Sequence, residues 1–342
     1  AAPAAAPLTL TRSFFCELEV CFASTAGSKE KIAGEIEDRS GHACVAPRQE
    51  SAAHEPEGGR WQLVTSALPV REDSTKRLKL VSPRLRKQEG LEQLGSVVRA
   101  ANEVGATTAP AGGFHVHVNA SDMELTQVKK VTAAFVAYEP AFDLVVAASS
   151  QDSLHTQSNR KRLVGLRGSL QKGLDAIRDP ALDKAGLIRL LHPPVDSGAS
   201  EPRRDDDFKL SLAAYDSHGT VEFRNHQGTT NAKKAVAWVV LLQRFVHAAK
   251  TTDDYVAAPP PQLSAVGLWL RLMSELVRDE ALAAYYWARV AELDGGRGPP
   301  RTTPIPPLAT QTDEWTRCGA GRAPACSNAF GAPCLTRRAT KY

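Results

Sequence analysis

Apolar and polar positions alternate most clearly in three short stretches of this chain, SFFCELEVCF, GGFHVHVN and GTVEFRNHQGT. A period of two is the signature of a half-buried strand. In each stretch one set of alternates is apolar: Leu18 and Val20, Val116 and Val118, Val221 and Phe223. That set is expected to face the core. The other set holds Glu17 and Glu19, His115 and His117, and Glu222 and Arg224. Residues i and i+2 of a strand share a face, so each stretch puts two reactive groups on one side of a sheet.

The same reading orders the rest of the chain. A first strand runs from Ser13 to Ala23, followed by a polar, Gly-rich insertion over residues 25–60 with a short helix near Lys29–Ile36. This insertion is expected to lie over the sheet or to be partly disordered. Trp61–Val64 and Leu78–Val81 read as strands, the second stopped by Ser82-Pro83. Apolar residues at Leu91, Leu94, Val97 and Val98 predict a helix over Gly90–Ala101, ended by Gly105. Ser121 with Glu124 reads as a capping box opening a second helix through Val128, Val131, Phe135 and Tyr138, which Pro140 kinks or ends. From Asp152 to Asp207 the chain reads as loop, with one helix near Leu170–Ile177. Phe208–Ala213 and Thr220–Asn225 read as a hairpin turning at Asp216-Ser217-His218-Gly219. Asn231 caps a long apolar helix through Ala249, and further helices fit Leu263–Leu276 and Glu280–Leu293. The fold class that follows is α+β, a mainly antiparallel sheet with helices packed on it.

Composition narrows the function. The hydrophobic fraction of 42% over 342 residues supports a sizeable core. A net charge of +4, with the charges scattered, is no nucleic-acid footprint. No apolar run approaches the ~20 residues that span a membrane. The opening AAPAAAPLTLTR lacks a basic region and a long apolar run, so no signal peptide is expected. None of the six cysteines forms a C-x-x-C pair, which argues against a zinc ribbon and sets a cytoplasmic, reduced protein as the default. Residues 13–294 read as one domain, between a disordered segment 1–12 and a disordered Pro/Gly/Arg-rich tail 295–342 that holds Cys318, Cys326 and Cys334.

Each reactive pair has an ordinary reading. Two glutamates on an edge strand are commonly a solvated face, and Glu222 with Arg224 could be a cross-strand ion pair. His-x-His is the more specific signal, because neutral imidazole is a common metal ligand. Their co-occurrence raises the functional reading of all three. Three carboxylates, two imidazoles and a guanidinium pooled on one face are expensive to bury without a ligand. A divalent metal plus an anionic substrate would satisfy all of them.

At this point the chain resembles the amidoligases of the carboxylate–amine ligase superfamily, which also holds glutamine synthetase and glutamate–cysteine ligase. The resemblance covers roughly Leu8 to Val290. It is carried by LVSPRL at Leu80–Leu85, GGFHVHVNAS at Gly112–Ser121 and GTVEFRNHQGTTNAKKAVAWV at Gly219–Val239, and less tightly by FFCELEV. It implies a glutamine-synthetase-like catalytic domain with a curved sheet. It also implies an ATP-dependent ligase that activates a small-molecule or peptide carboxylate as an acyl phosphate and joins it to an amine, with Mg²⁺ on the phosphates. By similarity Glu17, Glu19, His117 and Glu222 would ligate metal. His115, His117 and Arg224 would bind the nucleotide, and Glu222 and Arg224 would be catalytic. Mixed Glu/His ligation would equally allow Mn²⁺ or Zn²⁺.

The chain departs from the family pattern at several points. Lys79 stands where an acidic residue is usual before Leu-Val-Ser-Pro, and Ser66 ends a stretch after Trp61 that lacks the usual acid. Glu72 or Asp73 would be the nearest substitutes. Arg160 or Arg162 would supply an arginine expected after the second helix, and Leu210-Ser211-Leu212 replaces a Leu-Asn-Leu. These departures leave open a catalytically degenerate homologue acting as a binding or scaffold protein. A metal-dependent hydrolase built on His-x-His is a third reading, weakened by the lack of an H-E-x-x-H motif.

Overall fold

The first strand, β1 (Phe14–Ala23), is the hinge of the architecture: it pairs antiparallel with three others. The computed structural model describes residues 12–47, 56–66, 75–108, 112–151, 156–192, 207–252 and 263–293. The segment 1–11, the tail 294–342 with its three cysteines, and Glu72 and Asp73 lie outside the described residues. The strands after β1 are β2 (Cys44–Val45), β3 (Trp61–Thr65), β4 (Thr75–Val81), β5 (Thr107–Thr108), β6 (Gly113–Asn119), β7 (Leu210–Ser211) and β8 (Thr220–Gln227). They form one sheet in the order β2-β3-β4-β1-β6-β8-β7, with β5 also on β1. The β2/β3 pair is parallel and the other pairs are antiparallel, so the sheet is mixed and mostly antiparallel.

Ten helices accompany the sheet among the described residues. They are α1 (Lys29–Ser40), α2 (Lys87–Glu103), α3 (Leu125–Leu144), α4 (Asn159–Arg167), α5 (Leu170–Arg178), α6 (Lys184–Leu191), α7 (Ala213–His218), α8 (Ala232–Ala249), α9 (Ala265–Arg271) and α10 (Glu280–Leu293). The apolar alternates of the strands form the core with this helical layer. Leu18, Val20, Val116, Val118, Val221 and Phe223 share one cluster with Leu94, Phe135, Trp238 and Phe245. The ring of Phe223 meets both Phe135 of α3, centroids 5.6 Å apart, and Phe245 of α8, 6.3 Å apart.

The structure differs from the sequence reading in several places, each for a physical reason. The insertion after β1 is not mere cover. Ser28 Oγ accepts from the Lys31 N–H at 3.2 Å and caps α1. Ile32, Ala33 and Ile36 then enter the core, and Gly41 at φ 71° ends the helix. Helix α3 starts three residues later than the Ser121 cap implied. Ser121 donates its N–H to Asn119 Oδ1 at 3.0 Å and Asp122 is bound to Arg12. Glu124 becomes the cap, its N–H held by Gln127 Oε1 at 3.1 Å.

Pro140 neither ends nor breaks α3, which runs on to Leu144. An interior proline costs about 3 kcal/mol. Full burial of Phe135, Tyr138 and Phe142 on the same helix offsets it at roughly 1.5–3 kcal/mol per side chain. The loop-rich stretch after Asp152 contains the expected helix as α5 and, beside it, two unexpected ones, α4 and α6. The expected tight hairpin turn is instead the short helix α7, closed by Gly219 at φ 62°. The helix read over Leu263–Leu276 begins after a Ser264 cap and changes to π-helical winding at Leu272–Val277.

Candidate active site

Strand register brings the reactive alternates together on the face opposite the core. Glu17 of β1 lies beside His115 of β6, and His117 lies beside Glu222 of β8. On the other flank Glu19 lies beside Lys79 of β4. Ligand atoms of Glu17, His115 and Glu222 all fall within 4.8 Å of one another, and all three residues are buried. His115 Nδ1 stands 3.5 Å from Glu17 Oε2 and 3.6 Å from Glu222 Oε1. His117 Nε2 stands 3.6 Å from the same Glu222 oxygen. Arg224 Nη1 donates to Glu222 Oε1 at 2.7 Å and lies 3.5 Å from His115 Nδ1.

Glu19 is placed differently. Its Oε1 accepts from Ser66 Oγ at 3.1 Å and its Oε2 accepts from the Gly113 N–H at 2.8 Å. Each oxygen thus accepts one hydrogen bond, one from β3's end and one from the start of β6, and Glu19 stands outside the three-residue cluster. His115 stands inside it. Lys79 points into the centre and donates to Glu17 Oε2 at 2.9 Å. Arg160 and Arg162 of α4 donate to the carbonyls of Ala137 and Leu190. Ser211 of β7 sits in register with Glu222.

Charge and burial set the protonation of the centre. Burial pushes the Glu17 carboxyl up. The hydrogen bond with His115 and the charges of Lys79, His117 and His115 outweigh it and hold the group well below the usual carboxylate range. Burial also opposes ionisation of Glu222, and Arg224 first, then the two imidazoles, lower its pKa against the repulsion of Glu17. His117 shifts the other way. Burial lowers its pKa, and Glu222 and Glu17 only partly oppose the shift. At neutral pH the two carboxylates are thus ionised and His117 is a neutral acceptor.

A divalent cation fits this donor set. Glu17 Oε1 and His117 Nε2 are buried atoms without a hydrogen-bond partner among the described residues. An unsatisfied buried acceptor costs about 1–3 kcal/mol, and a cation held by Glu17, His115 and Glu222 would satisfy the Glu17 oxygen. Lys79 and Arg224 already balance the two carboxylates, so that cation would enter a centre close to neutral.

Two further contributors to the centre carry a signal in the sequence. Thr220 precedes Glu222 by two residues, hence shares its face, and its hydroxyl meets His117 Nδ1 at 3.2 Å. Phe15 precedes Glu17 by two, and its ring stacks on His117 with centroids 3.9 Å apart. The roles of Ser66 and Gly113 depend on strand register and carried no local signal.

The fold and this centre define an α+β protein with a buried acid–histidine–arginine cluster on one sheet face. Residues 11–246 match the family described as "Putative amidoligase enzyme". That match spans most of the chain, which therefore belongs to the amidoligase family, the class of amide-bond-forming ligases. No curated protein matches it. Among the described residues no helix is long and apolar enough to cross a membrane.

Proposed function

We propose that the protein is an ATP-dependent carboxylate–amine ligase with a glutamine-synthetase-like catalytic domain. One carboxylate oxygen of the substrate attacks the γ-phosphorus of ATP, releasing ADP and leaving an acyl phosphate. The amine then attacks the acyl carbon. The C–N bond forms, the C–O bond to phosphate breaks, and the amine gives up a proton. The observation that carries this reading is the clustering of Glu17, His115 and Glu222 ligand atoms within 4.8 Å, with Arg224 bound to Glu222, in an amidoligase-family chain.

Glu17 and Glu222, with His115 or His117, are the residues that would hold Mg²⁺ or a similar divalent cation. Such an ion neutralises phosphate charge when bound. Arg224 is fixed by Glu222 and keeps a positive charge beside the place where the phosphoryl group passes. Glu19 binds no substrate in this reading and holds Gly113 at the head of the histidine strand.

A second reading, a non-catalytic binding homologue, is favoured by one observation: the Lys79 ammonium occupies Glu17 Oε2 at 2.9 Å. The test begins with calorimetric titration of the full chain with a non-hydrolysable ATP analogue and Mg²⁺. ADP release is then followed with amino-acid and dicarboxylic acids, using hydroxylamine as the amine to trap the acyl phosphate as a hydroxamate. Wild type should bind the nucleotide and form hydroxamate, and Glu222→Ala should abolish hydroxamate without unfolding. Nucleotide binding without hydroxamate supports the second reading. Absence of nucleotide binding overturns the ligase assignment, and turnover undiminished in Glu222→Ala removes Glu222 from the mechanism.

A further inference from the structure

Each carboxylate of the centre is held by a cation from outside the three-ligand set. Lys79 of β4 donates to Glu17 Oε2 at 2.9 Å, and Arg224 of β8 donates to Glu222 Oε1 at 2.7 Å. His115 Nδ1 lies between these pairs, 3.5 Å from Glu17 Oε2 and 3.5 Å from Arg224 Nη1. The strands run β4-β1-β6-β8, so the two cations reach the centre from opposite sides across the sheet. They are also its more accessible layer. The side chains of Lys79 and Arg224 are 17% and 11% exposed, while those of Glu17 and Glu222 are 3% and 5% exposed.

We propose that Lys79 is a phosphate-binding residue: when a divalent cation takes Glu17, the ammonium turns from that carboxylate to the phosphoryl oxygens of the nucleotide and grips them together with Arg224. The proposal rests on the ligase reading for the identity of the anion.

The argument is one of charge. Without a divalent cation, the carboxylates of Glu17 and Glu222 face one ammonium and one guanidinium, and the four charges cancel. A cation held by Glu17, His115 and Glu222 leaves that balance positive by its own two charges, at carboxylates that are almost wholly buried. Uncompensated charge in such a place is expensive. A dianion restores the balance. A phosphoryl group supplies two charges spread over several oxygens, which can accept from an ammonium and a guanidinium at once. A single carboxylate supplies one charge.

Lys79 is the side chain suited to the exchange. A cation on Glu17 competes with the ammonium for the same carboxylate and repels it. The charge of a lysine rides on a flexible four-carbon stem, and the partial exposure of Lys79 leaves that stem a path toward the open side of the centre. One side chain thus opposes the cation and favours the anion that follows it.

The test uses Mg²⁺ and inorganic tripolyphosphate as probes, measured by calorimetry on the full chain. Mg²⁺ is titrated alone, and the Mg²⁺-saturated protein is then titrated with magnesium tripolyphosphate or with succinate. Wild type should bind tripolyphosphate, and bind it more tightly than succinate. Lys79→Met should bind Mg²⁺ alone more tightly, yet bind tripolyphosphate about 10–100-fold more weakly, the worth of one charge-assisted hydrogen bond. Lys79→Arg, which keeps the charge, should retain most of the tripolyphosphate affinity. Lys172→Met, an equal loss of charge at an exposed position on α5, should bind as wild type does. A lysine that only balances Glu17 would leave the anion affinity unchanged once Mg²⁺ is bound, so equal tripolyphosphate affinity in wild type and Lys79→Met overturns the proposal. So does an equal loss in Lys79→Arg, succinate binding as tight as tripolyphosphate, or no tripolyphosphate binding in wild type. Nucleoside, substrate carboxylate and amine are absent from the tripolyphosphate titration, so a failed hydroxamate assay leaves a positive result standing. Hydroxamate formed equally well by wild type and Lys79→Met sinks this inference alone.

Discussion

Replacing Lys79 by methionine separates two opposed effects of one side chain. In the cation-free protein Lys79 is the counter-charge of Glu17, at 2.9 Å, with the two side chains 17% and 3% exposed. Removing the ammonium leaves Glu17 buried with His115 as its remaining close polar neighbour among the contacts of the centre. Breaking a buried pair from one side costs 3–5 kcal/mol, and partial exposure of Lys79 argues for the lower end, about 3 kcal/mol. For a domain of this size that lowers the melting temperature by about 6–12 °C.

Cation binding should respond in the opposite direction. A divalent cation on Glu17 would lie about 5 Å from the ammonium, one hydrogen bond plus one metal–oxygen bond away. The repulsion is about 7 kcal/mol at an effective dielectric of 20 and about 2 kcal/mol in water. Even the smaller figure makes Lys79→Met bind the cation about 30-fold more tightly. Thermal melts with and without Mn²⁺, beside calorimetric titrations of Mn²⁺ and Mg²⁺, measure both effects on one sample. The variant should melt early without cation and recover most of the loss when saturated. A variant that melts like wild type without cation, or that shows no gain in affinity, refutes the ion-pair argument and places Lys79 outside the centre.

Two further outcomes follow from the buried groups outside the centre. Burial first, then the charges of Arg289 and Lys234, push the His226 imidazole down to about 4 against the pull of the Gln227 carbonyl. The unfolded chain takes up this proton first as pH falls. Its stability contribution is therefore whole above the ordinary histidine pKa and declines by about 3 kcal/mol between pH 6.5 and pH 4. His226→Phe should flatten that part of a urea-midpoint profile, and an unchanged slope would remove the assignment. Lys209, 1% exposed, binds Glu139 at 3.2 Å and Asp143 at 2.7 Å. Lys209→Ala should destabilise by about 3–5 kcal/mol in thermal unfolding, and a loss under 1 kcal/mol would show that Glu139 is satisfied by Ser158 and the Arg160 N–H without it.

The legible parts of the fold were those with a strong period. β1, β6 and β8 alternate cleanly, and α2, α8 and α10 carry apolar stripes, so their existence and face were readable. Helices α4 and α6 were not. NRKRLVGLR offers no continuous apolar face, and α4 is held by local and distant hydrogen bonds instead. Ser158 Oγ accepts from the Lys161 N–H at 2.9 Å, and the Asn159 side chain bridges both backbone groups of Leu210 at 2.9 and 3.0 Å. The Asp183 cap of α6, accepting from Gly186 at 2.7 Å, was visible as a residue type but not as a helix start. In the centre, alternation gave the residues on the face, whereas register chose among them. It paired Glu17 with His115 and diverted Glu19 to Ser66 and Gly113.

The irregularity in β8 shows why register mattered so much. Val116 pairs with Phe223 and Phe114 with His226, so the single residue His115 opposes two, Arg224 and Asn225. A period of two read straight through TVEFRNHQ would put His226 on the same face as Glu222 and Arg224 and add a third imidazole to the centre. The bulge reverses the parity. His226 turns into the core, where its ring lies 5.8 Å from Phe114 and 4.9 Å from Trp238. The extra residue also bends the strand locally, as bulges beside functional sites do. Opposite His115, Arg224 can then reach Glu222 Oε1 at 2.7 Å and His115 Nδ1 at 3.5 Å with one nitrogen. One inserted residue therefore settles which titratable groups of this strand meet the cluster and which one is buried neutral behind it, and only the pairing partner, some hundred residues earlier in the chain, reveals that it is there.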